Sequence, residues 1–267
     1  MKTRRWAIAG LAAVAALALA TAACGTKSND TGKPAPSPTP AAPKDVLAAS
    51  IKELGKSSYT FTFKASEFAG QGAVDPAAQS ARIELHSADP AAEVQAKVEF
   101  VLIGAETYVK LDFGNAPIPN LPPKDKFLRV DRSKLKKPDE FAPDLTKQAE
   151  VTEVNSVVNS IVSVEKATGA TYRGTVDLTK VGNDNILVDE DVVGKLADAA
   201  KAVPFEATLD DKGRLIKLAI SIPAAGTVKA QTWETTYADF GSVAKVEKPP
   251  AAQTIDAPAT VYDIFNS

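Results

Sequence analysis

Four successive stretches of this chain alternate apolar and polar side chains. They are Tyr59-Thr-Phe61-Thr-Phe63, Ala81-Arg-Ile83-Glu-Leu85, Val94-Gln-Ala96-Lys-Val98-Glu-Phe100-Val-Leu102 and Thr107-Tyr-Val109-Lys-Leu111-Asp-Phe113. Neighbouring side chains of an extended backbone point to opposite sides, so these runs read as antiparallel strands with one dry and one wet face. The links between them are short, and a meander is the simplest topology that connects them. Further strands are expected at Ile161–Lys166 and Thr171–Thr179, with a final pair at Thr227–Tyr237 and Ser242–Glu247. Between these, Phe205–Leu209 and Arg214–Ile222 flank Asp210-Asp211-Lys212-Gly213, a hairpin whose glycine supplies the tight turn.

Helical spacing appears in three places. Asp45–Lys56 sets Val46, Leu47, Ile51 and Leu54 on one face and stops near Gly55. Pro143–Ile161 spaces Leu145, Ala149, Val154, Val157, Val158 and Ile161 at helical intervals, although its β-branched residues are poor helix formers. Asp189–Lys201 starts with three acids and ends with a lysine, which complements a helix dipole. The expected class is therefore α+β: a single, strongly curved antiparallel sheet, a half-barrel, with two to four helices covering or lining its concave face. On the alternation, Phe61, Phe63, Leu85, Val98, Phe100, Leu102, Leu218 and Ile220 share the inward face and are candidates to line a ligand cavity.

The N-terminal region adds an address. Lys2, Arg4 and Arg5 precede the small and apolar run Ala7–Ala23, and the chain's single cysteine, Cys24, follows at once. This is the layout of a bacterial secretory signal that ends at a thiol. Thr21-Ala22-Ala23-Cys24 fits a lipobox with Thr21 where leucine is commonest, making Cys24 the expected lipidation site. Plain signal cleavage near Ala23 and a retained anchor are the alternatives, and Arg4-Arg5 leaves both the general and the twin-arginine export routes open. Five prolines between Lys27 and Pro43 mark an extended, solvated tether. The expected division is residues 1–23 as signal peptide, 24–43 as lipidated cysteine and tether, and 44–267 as the folded domain.

Charge and motif content exclude several classes of function. Without the three basic residues of the signal, 28 Lys and Arg face 33 Asp and Glu, a net charge of −5, and this does not suggest a nucleic-acid partner. The densest basic stretch, Arg129–Lys137, is interrupted by Asp131 and reads as a solvated loop. His86 is the only histidine, so a two-histidine zinc motif is ruled out, and there is no G-x-S-x-G elbow to pair with it. His86 reads as an exposed strand-end residue, Gly70-Gln71-Gly72 as a turn between strands, and Asp189-Glu190-Asp191 as a helix cap rather than a metal cluster. No catalytic residue, metal or cofactor is expected.

The order of these features resembles a known family. The signal, tether and first helix precede Tyr59-Thr-Phe-Thr-Phe63. Then follow Ala170-Thr-Tyr-Arg-Gly-Thr-Val-Asp-Leu178, Pro204-Phe-Glu-Ala-Thr-Leu-Asp-Asp-Lys-Gly-Arg-Leu215, and Thr235-Thr-Tyr-Ala-Asp-Phe-Gly-Ser-Val243 before Pro249. From Cys24 to about Pro250 this is similar to the LppX/LprAFG family of actinobacterial cell-envelope lipoproteins, with Thr235-Thr-Tyr-Ala departing from the serine-containing form before the Asp-aromatic-Gly corner. The resemblance implies a LolA-like half-barrel holding lipid or glycolipid acyl chains. It implies attachment to the outer face of the cell membrane through Cys24, and a membrane transporter as a candidate partner. The competing expectation is an anchored interaction or sensor module with a filled core and no lipid ligand.

Overall fold

The computed structural model describes residues 41–65, 68–114, 116, 122–146, 151–152, 154–181 and 190–266. Cys24, the expected signal peptide, nearly all of the expected tether and Asp189 lie outside them. Residues Pro40–Ser267 form one compact unit.

Helix α1 (Pro43–Leu54) begins with proline in its first turn, where no amide hydrogen is needed, and buries Leu47, Ser50, Ile51 and Leu54. Six strands follow: β1 (Tyr59–Lys64), β2 (Phe68–Asp75), β3 (Ser80–Ser87), β4 (Lys97–Ile103), β5 (Glu106–Asp112) and β6 (Phe127–Val130). Two short helices, α2 (Pro138–Phe141) and α3 (Val154–Asn159), lead into β7 (Ile161–Lys166) and β8 (Thr171–Val176). Helix α4 (Glu190–Leu196), β9 (Val203–Leu209), β10 (Leu215–Ile222), β11 (Gln231–Ala238), β12 (Thr254–Asp256) and α5 (Ala259–Phe265) complete the order.

Among the described residues all twelve strands join one sheet in the order β12-β6-β5-β4-β3-β2-β1-β11-β10-β9-β8-β7. It consists of two antiparallel meanders, β1–β6 and β7–β11, joined where Thr60–Lys64 pairs with Glu234–Ala238. The final strand, β12, adds a short parallel edge beside β6. The fold is α+β with a mostly antiparallel sheet that does not close into a barrel.

Several expectations need correction. Gly70-Gln71-Gly72 is not a turn but the middle of β2, where the missing Cβ atoms make room for Phe63 and Phe61 of β1. A Cβ on Gly72 would lie 2.5 Å from the Phe61 ring, and one on Gly70 would lie 2.3 Å from the Glu84 carbonyl oxygen. Arg129 and Val130 are strand, whereas Asp131–Lys137 forms the turn and loop expected for the basic stretch, exposed at Asp131, Ser133, Lys134, Lys136 and Lys137. Leu135 within it is buried.

The 143–161 helix is reduced to α3 among the described residues, its β-branched run giving way to strand at Ile161. The helix expected over Asp189–Lys201 keeps α-geometry only to Leu196 and then tightens into a 3-10 turn, Ala197–Ala202. Ser242–Glu247 forms no strand, because both edges of β11 are already taken by β1 and β10. The chain there lies instead against the outer face, where Val246 packs with Val101, Tyr108 and Phe127.

Candidate functional site

The candidate site is the inward face of the sheet. Direct register pairs carry it across the strands as rows: Gly70, Leu85, Val98 and Leu111 in one, and Gly72, Ile83, Phe100, Val109 and Leu128 in the next. Phe61 stands opposite Gly72 and Tyr237, and Phe63 opposite Gly70 and Thr235. Leu218 pairs with Thr235 and Ala207, and Ile220 with Trp233 and Phe205. Leu102 pairs with Ala81 and Thr107. All eight candidates thus share one face of the sheet, as side-chain alternation requires.

Their surroundings divide them. Phe61, Phe63, Leu102, Leu218 and Ile220 are at most 4% exposed and belong to the largest apolar cluster, together with α1 (Leu47, Ile51, Leu54) and α3 (Val154, Val157, Val158). Surfaces that even water barely touches are packed against protein. Leu85, Val98 and Phe100 are only half-buried. Phe100 lies between this cluster and a smaller one built from Val109, Leu128, Val130, Leu135, Val261 and Tyr262, and Phe141 does the same. Their rings meet edge to face at 5.6 Å, and Phe141 in turn meets Phe265 of α5 at 4.3 Å. The alternation cannot report this partly exposed stretch between the two clusters, because it does not say which part of a face receives a helix.

Polar groups on the inward side are few. Thr152 and Tyr237 share a buried hydrogen bond of 2.6 Å between their hydroxyls. The Thr235 hydroxyl, beside Phe63 and Leu218, is buried without a hydrogen-bond partner. The wet face, by contrast, carries cross-strand pairs: Arg82 with Glu99 at 3.2 Å, Arg173 with Glu206 at 2.7 Å, Lys217 with Glu234 at 2.6 Å, and Thr62 with Thr236 at 2.7 Å.

Away from this face the grooves are open and mixed in charge. One of about 650 Å³ lies where β5, β6 and the C-terminal segment meet. Its cations already have partners: Arg129 bonds Asp256, Arg132 bonds Asp139 and the Ala142 carbonyl, and Lys134 lies 3.7 Å from Asp131. Lys248 holds Glu106 at 2.8 Å and with Tyr108 keeps its carboxyl below the usual range, although burial pulls the other way. These are structural pairs. Among the described residues no three His, Cys, Asp or Glu gather to hold a metal, and no helix is long and apolar enough to cross a membrane. His86 stands exposed on β3.

Compared with known proteins, the chain matches no protein-family model and no curated sequence.

Proposed function

We propose that this chain is a lipid-anchored, extracytoplasmic acyl-chain binder of the LppX/LprAFG kind, with a LolA-like curved sheet, that shields acyl chains of a lipid or glycolipid during transfer. The observation that carries the reading is the largely apolar inward face whose Leu85, Val98 and Phe100 portion is left half-buried. Each CH₂ taken out of water contributes ~0.8 kcal/mol, so an acyl chain laid against that part of the face needs no specific polar contact. Cys24 supplies the anchor and the proline-rich segment the reach. The packing of the other five inward residues favours a second reading, a filled domain that works through its surface.

Mass spectrometry of an organic extract of the purified protein separates the two. A stoichiometric lipid is the expected result, and a clean extract, together with failure to bind a fluorescent fatty acid, overturns the proposal.

A further inference from the structure

The inward face carries two helical covers of unequal strength. Helix α1 spans 12 residues and buries Leu47, Ser50, Ile51 and Leu54, with Leu47, Ile51 and Leu54 in the cluster that holds Phe61, Phe63, Leu218 and Ile220. Helix α5 has only seven residues. Its Val261 and Tyr262 pack with Val109 of β5 and with Leu128 and Val130 of β6. Val109 and Leu128 are 0% exposed and stand in the same register row as half-buried Phe100. The apolar surface beneath α5 therefore continues the partly exposed stretch on the same side of the sheet.

Polar contacts at the surface hold α5 in place. The Tyr262 hydroxyl accepts the Asp131 amide at 2.8 Å, and Asn266 accepts the Lys136 amide at 2.7 Å and donates to the Lys134 carbonyl at 3.0 Å. Ahead of the helix, β12 pairs with β6 over three residues, and the Arg129–Asp256 ion pair beside them has side chains 57% and 76% exposed. Water can take over partners of this kind, so releasing them costs little. The open groove of about 650 Å³ runs along Ala257 and Tyr262 on one side of the segment. On the other side Phe265 meets Phe141, and Phe141 meets Phe100, so an apolar chain laid on Phe100 reaches the contacts of α5 through one ring.

We propose that α5 is a displaceable cover, and that an acyl chain entering along Leu85, Val98 and Phe100 takes its place on Val109 and Leu128. The role of the cover rests on the acyl-carrier reading. Helix and ligand compete for one surface, so the ligand binds with the affinity of the uncovered face reduced by the fraction of molecules in which α5 is lifted.

The test uses residues 24–267 with Cys24→Ser. Without ligand, the Asp131 and Lys136 amides, which α5 holds, and the Asn266 amide, which bonds the Tyr262 carbonyl, should exchange their hydrogens together through a local opening, while the amides of α1 wait for global unfolding. A saturating fluorescent fatty acid should speed exchange at those three amides. Tyr262→Phe with Asn266→Ala keeps the apolar contacts and removes the latches, and should tighten probe binding about tenfold by raising the lifted fraction. Circular dichroism and the single variant Asn266→Ala, at the end of the helix, guard against misfolding. Exchange of the three amides only with global unfolding, probe binding that leaves their exchange unchanged, or an unlatched protein that binds like the parent overturns the cover. The two proposals fail separately: local opening of α5 with no probe bound by either protein sinks the carrier reading alone, and tight probe binding with α5 unmoved sinks the cover alone.

Discussion

Gly72 has an extended backbone and is needed for space rather than for conformational freedom. Ala at this position would bring its Cβ to 2.5 Å from the Phe61 ring and 2.7 Å from the Arg82 carbonyl, and the carbonyl cannot yield without opening the β2–β3 ladder. Gly72→Ala is expected to cost about 1–3 kcal/mol, read as a lower urea midpoint; an unchanged midpoint would mean that the Phe61 ring moves freely. Asp177 is a different case. It caps the Leu178–Lys180 turn, accepting the Thr179 hydroxyl and amide, and lies 3.1 Å from Lys180. The Thr179 hydroxyl lowers its pKa below the ordinary 3.8, burial opposes this, and Lys180 helps. A carboxyl whose folded pKa is depressed contributes stability that is present above its unfolded value and lost as the pH falls through the folded one. The stability gap between the parent and Asp177→Asn should therefore be constant near neutrality and close below pH 3.8, measured by urea unfolding at several pH values.

The β9–β10 hairpin shows how local chemistry builds an element. Asp210 accepts the amides of Lys212 and Arg214 and the Arg214 guanidinium, while Gly213 sits at φ +76°, where a side chain is strained. Everything this turn needs lies within five residues, so it was readable in the sequence. Strand β4 poses a question that local chemistry cannot answer, since Phe100 and Leu102 share its inward face but only Leu102 is fully packed. Leu218→Ala, at a packed site on β10, should cost ~2–5 kcal/mol and leave fatty-acid probe uptake alone. Phe100→Ala, half-buried beside Phe141, should cost less than the ~3–5 kcal/mol of a fully buried phenylalanine and weaken uptake. Calorimetry with probe titration on both variants checks this, and a larger loss of stability at Phe100 with normal uptake would mean that this part of the face is core.

At the scale of the whole molecule, the proposed lipidation of Cys24 would set where the domain works. Two or more acyl chains on one residue anchor far more firmly than one, so Cys24→Ser should move the mature-sized protein from the membrane fraction to the soluble one or leave an uncleaved precursor. Recovery of mature-sized Cys24→Ser in membranes would refute lipidation at this site.

What the sequence by itself determined was strand identity and facing, because both follow from the covalent geometry of neighbouring residues: β1, β3, β5 and the β9–β10 hairpin stand where alternation and turn residues predict. It hid β2, whose glycines resemble a turn until Phe61 and Phe63 are seen to fill their space. It also hid β6 and β12, too short to show a period. Only the tertiary structure decided that β1 pairs with β11 across more than 170 residues, that Ser242–Glu247 is left without an edge to join, and that α1 and α3 cover one half of the apolar face while Leu85, Val98 and Phe100 stay half-open. Alternation records which way a side chain points; what meets it there depends on segments far away in the chain, and no local period carries that information.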